Sequence, residues 1–470
     1  MMKNMIIAAI GAINEKSDVK IADWRLVSTV ISRQEEYFIA SEAEQLRAVD
    51  ERRYALTVYV DSEADGVKFR GEATVTIQPT HTEAEIEATI RQAVFAASKS
   101  KNPWFELPGP AQPKVSLPSS GFDALADSSR MDTVRAALYA PETKIAEAGA
   151  PAADPEDESR DTAPGAAVPA VSTPRINSLE LFIAREESGF INSKGLKFEA
   201  ARWKGYSEFV VEADSRQGPV ELFDDIEFSD PDPVRLGEAT GSRLAQVRDR
   251  AVAIPMPSLK DIPVILSGKE AEEVFAWFFG NSTTGAIFTK ASPFTLGMNI
   301  QQAREGQKVE DPIDIWAEPT LPGLPASSVF DPDGFPLERA AIVEGGYLKA
   351  LVGAIRYADW LGVDRKGSFP LFSVSPGSMS VADMVAKPHL APVMFSDFRL
   401  DSVTGDFGAE IRLAYWFDGK RRIPVTGGSI SASVSELRST MRRSAECALA
   451  SRSFCPKAVL LNGVSITGMA

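Results

Sequence analysis

The sequence predicts an α+β protein: an N-terminal α/β-mixed domain followed by a β-rich, antiparallel C-terminal domain. Three observations carry this reading. Apolar and polar residues alternate with a period of two in many runs from Trp24 onward, and such runs dominate after Ile262. Helical patterns are few, and several open with a capping signal. The strands follow one another through Gly-marked turns instead of alternating with helices, which builds antiparallel sheets. With 470 residues the chain exceeds the roughly 250 to 300 that a single core accommodates, so more than one domain is expected.

The elements follow in order. The apolar stretch "MIIAAIGAI" has only Lys3 before it and runs into "NEKSDVK" without a small-residue cleavage site, so it reads as an amphipathic first helix and not as a signal-peptide core. Strand-like runs cover residues 24–32, 54–60 and 67–77, the last two separated by the hairpin loop "DSEADG". A helix over 82–100 opens with Thr82 and Glu85 as a capping box, and His81 just before it reads as a solvent-facing residue. Residues 1–106 form the first α+β unit. Residues 107–174 read as a Pro/Ala-rich linker with one short helix at "MDTVRAALYA"; within it, 146–174 holds too few large apolar residues to offset the entropy of ordering. Residues 175–257 continue the N-terminal domain as strands with Gly turns and a helix over "DPVRLGEATGSRLAQVRDRAVA".

Residues 258–470 form the β-rich domain. The buried strand "IPVILSG" feeds a helix that opens with Ser267 and Glu270 spaced as a capping box and then turns apolar on every side through "VFAWFF". The "NSTTG" that follows reads as a helix exit, with Gly280 or Gly285 supplying a left-handed residue. "RAAIVEGGYLKALVG" is a strand, a Gly-Gly turn and a strand, and the alternation continues through "IRLAYWF" to "KAVLLNGVSITGM".

Composition excludes several functions. The net charge of −15 argues against nucleic-acid binding, which rests on clustered Lys and Arg. No run approaches the roughly 18 to 20 apolar residues of a membrane helix, and the two cysteines, Cys447 and Cys455, form no disulfide framework. A cytoplasmic location is therefore expected. The two histidines, His81 and His389, lie far apart without a metal-binding spacing, and Cys455 reads as a buried structural thiol. Asp331 and Asp333 in "FDPDGFP" resemble the start of a calcium loop but lack its later ligands, so a tight turn is expected. No Ser lies in G-x-S-x-G, and no base stands near the hydroxyls of "NSTTG".

The segments "SSVFDPDGFPLERAAIVEGGYLKALVGAIRYADWLG", "LFSVSPGSMSVADMV", "DSVTGDFGAEIRLAYWFDGKRRIPVTGGSISASVSEL" and "VLLNGVSITG", in that order, resemble the TldD/PmbA family, also called modulators of DNA gyrase. The resemblance implies a two-domain cytoplasmic protein from a family of zinc-dependent peptidases acting on small or unfolded polypeptides, typically dimeric. In the catalytic branch a helix carries His-Glu-x-x-x-His, and a C-terminal Cys helps hold zinc. Those three helix positions correspond here to Ala276, Trp277 and Asn281, which offer no suitable zinc donor, and Cys455 stands before Pro456 outside the Cys-Gly-Lys context. The resemblance therefore points to the PmbA/TldE-like branch: no cofactor and no catalytic residue in this chain, zinc only in a partner paralogue, and either that paralogue or a second copy as partner. Ser282, Thr283, Thr284, Thr404 and Asp406 are the candidates to line the cavity. The expected function is that of a non-catalytic or accessory subunit; the alternative is a stand-alone binding or scaffold protein of the same fold.

Overall fold

The computed structural model describes residues 1–148, 173–216 and 218–469. The segment expected to be a flexible linker, 146–174, falls almost wholly outside the described residues. Among the described residues there are three sheets. Among the described residues no helix is long and apolar enough to cross a membrane.

The N-terminal domain is one antiparallel sheet with four main helices. Helix α1 (Met2–Lys16) precedes strands β1 (Asp23–Ile39), β2 (Glu42–Ala64) and β3 (Val67–Ile77), and helix α2 (Glu83–Ser98) and the short β4 (Asn102–Pro103) follow. After them come helix α3 (Asp127–Ala148), strands β5 (Arg175–Asn192), β6 (Lys197–Ser215) and β7 (Gly218–Phe228), and helix α4 (Pro233–Ala251). The strand order is β4-β3-β2-β1-β5-β6-β7. Leaving β4 aside, this order is a palindrome: each half is helix, three strands, helix, and β1 and β5 meet antiparallel with Ser32 opposite Arg185 near the centre of their register. The domain is therefore two α-β-β-β-α units related by an approximate two-fold axis. Helices α1 and α2 pack Ile6, Ile10, Ile86 and Ile90 on Leu26, Leu56 and Val58. Helices α3 and α4 pack Val134, Leu138, Leu236 and Leu244 on Leu179, Leu181, Phe209 and Val211.

Two expectations change here. The helix inside 107–174 is not short: α3 has 22 residues, and Met131, Val134, Ala137 and Leu138 anchor it in the core. The central strands are also much longer than the apolar runs, because the β1–β2 ladder continues through Ile39 and Glu42. Cross-strand backbone hydrogen bonds, with side-chain pairs such as Ser32–Asp50 and Arg47–Glu35, hold that polar extension, whose β2 part is largely exposed. The Thr82–Glu85 capping box forms as expected, and His81 before it is half-buried, its Nδ1 without a partner among the described residues.

The C-terminal domain encloses helix α5 (Gly268–Asn281) between two further sheets. Strands β8 (Ile254–Pro255) and β9 (Val264–Ser267) precede α5; the short helix α6 (Thr284–Phe288) follows it. Next come β10 (Ile315–Glu318), β11 (Ala340–Glu344), β12 (Tyr347–Leu348), helix α7 (Ile355–Leu361), β13 (Leu371–Val374) and helix α8 (Val381–Val385). Strands β14 (His389–Leu400), β15 (Asp406–Phe417), β16 (Arg422–Thr426) and β17 (Ser429–Ser433) lead to helix α9 (Val434–Leu437). The chain closes with β18 (Arg442–Arg443), β19 (Cys447–Leu449), β20 (Ser453–Pro456), β21 (Ala458–Leu461) and β22 (Ser465–Thr467). A six-stranded sheet runs β12-β11-β10-β13-β20-β19, and a nine-stranded one runs β18-β21-β9-β14-β15-β16-β8, with β17 and β22 attached through β15. Gly345 and Gly346, with φ of 55° and 83°, make the expected β11–β12 turn, where a side chain would be strained. The run "IRLAYWF" is internal: β15 is bonded to β14 on one side and to β16 and β17 on the other.

One contact tests the N-terminal packing. Gly71 sits on β3 where α2 crosses it, and a Cβ there would overlap the backbone carbonyl of Ala97, which no rotamer change relieves. Gly71→Ala is expected to cost about 2–3 kcal/mol by overpacking, read as a lower denaturation midpoint for the N-terminal domain. An unchanged midpoint would show that α2 is free to shift on the sheet.

Candidate functional site

Helix α5 is the element on which the resemblance places a metal motif. It leaves β9 through Ser267 and Gly268, and the capping box expected there does not form. The Ser267 side chain makes no capping bond, Gly268 has φ of 61°, and burial pushes the Glu270 carboxyl above its usual range. Ala271, Glu272, Val274, Phe275, Ala276, Trp277, Phe278 and Asn281 are all buried. Glu272 is the one buried carboxylate among them, and three donors occupy it: the Ser451 and Arg452 amides at 3.1 and 2.8 Å and the Ser453 hydroxyl at 2.7 Å. It serves to fix the loop that enters β20, on which Cys455 lies.

The three motif positions are filled in three ways. Ala276 contributes a methyl group to the core between the sheets. Trp277 packs edge-on against Phe278 and Phe294, with ring centroids 5.1 and 5.3 Å away, and its six-membered ring lies under the backbone of Gly405 in the β14–β15 turn. Its indole N–H is buried without an acceptor among the described residues. Asn281 donates both amide hydrogens, to the Trp277 carbonyl at 2.9 Å and to the Ser402 carbonyl at 2.8 Å. That amide ties the end of α5 to the same turn.

These residues do not fit zinc. A methyl group and an indole have no lone pair to offer, and an amide nitrogen that donates to two carbonyls has none either. Cys455 is in the same core cluster, and burial pushes its thiol up to about 12, the opposite of what a thiolate ligand requires. Among the described residues no group of three or more His, Cys, Asp or Glu side chains is placed to hold a metal ion. His389 is remote from α5, in β14, its Nδ1 2.7 Å from the Lys387 carbonyl.

The structure separates the remaining candidates. Ser282 and Thr284 are fully buried, and their hydroxyls donate to the carbonyls of Phe278 and Ala354. Thr283 caps α6 by accepting from the Ala286 amide. Neither Gly280 nor Gly285 is left-handed: α5 ends at Ser282 with φ of −94°, and the chain turns directly into the short helix α6. Thr404 and Asp406 stand exposed in the β14–β15 turn, where the Thr404 hydroxyl accepts from the Asp406 amide. The Asp331 carboxylate accepts from the amides of Asp333, Phe335 and Ser368, as a tight turn requires. Burial and the neighbouring Asp333 raise it to about 7, and Asp333 itself pairs with Arg25 of the N-terminal sheet.

Trp277→Glu measures how closed this arrangement is. The substitution removes a packed aromatic and buries a carboxylate without a counter-charge, so a loss of about 3–5 kcal/mol is expected, seen as a lower unfolding midpoint. Parental stability would mean that α5 borders an open chamber.

Residues 259–468 match the PmbA/TldA metallopeptidase C-terminal domain. No curated protein matches the chain. Three solved structures share its fold. TldE from Thermococcus kodakarensis has a TM-score of 0.71 at 12% identity, covering 100% of both chains. A proposed modulator of a DNA gyrase from Thermotoga maritima has 0.72 at 15% identity, also covering 100% of both. Another, from Bacteroides thetaiotaomicron, has 0.71 at 16% identity over 99% of both. Residues 259–468 thus match a TldD/PmbA-type C-terminal domain, and the chain shares the fold of these structures over its whole length.

Proposed function

We propose that this protein is a non-catalytic, accessory subunit of a TldD-type zinc peptidase, working in the cytoplasm beside a paralogue that carries His-Glu-x-x-x-His. One observation carries the reading. At the positions where the catalytic branch holds its metal, a methyl group, a packed indole and a doubly bonded amide occupy the space, so the fold is kept while its chemistry is replaced. A subunit of this kind contributes by shaping the chamber and holding small or unfolded polypeptides for the zinc-bearing partner. Glu272, the fully buried carboxylate of α5, is already committed to the 451–453 loop and is not available as a general base. A stand-alone binding protein of the same fold is the second reading, favoured by the same filled helix if no partner exists.

Co-expression with a His-Glu-x-x-x-His paralogue distinguishes them. The expected outcome is a heterodimer on size exclusion with one zinc per pair, and peptidase activity above that of the paralogue alone. Separate elution, with activity unchanged on mixing, would favour the stand-alone reading.

A further inference from the structure

A groove of about 680 Å³ lies where the two domains meet, between α4 and the outer face of the nine-stranded sheet. That volume is within the roughly 300–1,000 Å³ usual for ligand sites, which favour domain junctions. Its floor follows from strand register. His389, Phe417 and Arg422 form one cross-strand row over β14, β15 and β16, and Ala391 and Tyr415 form the next. Alternation sends Leu390, Trp416 and Ile423 to the opposite face, into the core around α5. On the other wall α4 presents Ser242, Gln246 and Arg248.

The lining is apolar below and cationic at the rim. The Arg422 guanidinium lies 3.3 Å from the centroid of the Tyr415 ring. The Tyr415 hydroxyl donates to Asp249 at 2.7 Å, which commits the carboxylate of that wall. Neither Arg248 nor Arg422 has a carboxylate partner among the described residues, in a chain whose net charge is −15. Two unmatched guanidiniums above an aromatic floor complement a ligand that is apolar in body and anionic at one end. The Ser242 hydroxyl and the Gln246 amide NH2, whose oxygen accepts from Arg243, add hydrogen-bonding groups that an alkyl carboxylate would not use and a peptide backbone would.

We propose that this groove binds the C-terminal residue of a polypeptide: its large apolar side chain on Ala391 and Phe417, its free carboxylate on Arg248 and Arg422, and its last amides along Ser242 and Gln246. The site stands on the groove alone and does not depend on an accessory role for the chain.

The test uses the full chain and a fluorescein-labelled hexapeptide ending in Ala-Leu-Phe with a free carboxylate, its C-terminal amide, and decanoate as competitor, followed by fluorescence anisotropy. The acid is expected to bind one to one and the amide at least tenfold more weakly. Arg248→Gln with Arg422→Gln should weaken the acid at least tenfold and leave the amide unchanged, and Ala391→Trp, which fills the floor, should abolish binding. The arginine pair is on the surface, so it decides the matter if Ala391→Trp fails to fold. No binding of the acid, equal binding of acid and amide, or indifference to the arginine variants would overturn the proposal. Displacement by decanoate at equal or lower concentration than by unlabelled peptide would also overturn it, assigning the groove to free apolar carboxylates.

Discussion

The enclosure of α5 between two sheets is the constraint on which the rest of the C-terminal half depends. A helix buried along most of its length, with Gly268, Glu273 and Gly280 as its exposed positions, must satisfy its buried last carbonyls from within the protein. Here the Asn281 and Ser282 side chains do so, donating to Trp277 and Phe278, and the second amide hydrogen of Asn281 reaches the Ser402 carbonyl. That bond and the Trp277 ring together seat the β14–β15 turn. β15 is thus held at one end by the helix and along both edges by its neighbours, and its outer face, with Leu413 and Tyr415, is free to join the core of α3 and α4. The junction of the domains is built on the same strand that closes over α5.

This arrangement explains how a family fold persists with a changed interior. A metal site needs polar ligands held in a fixed geometry, and each ligand must itself be oriented. Once Ala276 and Trp277 stand in two of the three places, apolar packing does that structural work and Asn281 becomes a backbone clasp. One strain remains, the buried Trp277 N–H without an acceptor, worth about 1–3 kcal/mol. The site is therefore filled without being optimised for stability.

Much of this was legible in the residues. The capping box at Thr82, the Gly-Gly turn, the turn at Asp331 and the buried Cys455 follow from local chemistry, whereas the motif positions on α5 come from the resemblance alone. What was not legible depends on register or on distant partners. The two-fold plan of the N-terminal sheet exists only once β1 and β5 pair, and the polar half of β2 is fixed by β1 rather than by burial, so hydrophobic periodicity cannot detect it. Ser267 and Glu270 have capping spacing, yet the left-handed Gly268 and the burial of Glu270 redirect both. The groove draws on α4, β14, β15 and β16, elements that no short window of sequence unites.

The central claim is that α5 holds packing at the positions where the resemblance places a metal motif. Equilibrium dialysis of the isolated full-length protein against zinc, followed by elemental analysis, addresses it most directly. The account predicts no stoichiometric zinc, because Ala276 and Trp277 offer no donor atom and Asn281 offers at most one neutral amide oxygen, a poor zinc ligand. One tightly bound zinc per chain, lost on Asn281→Ala, would contradict it.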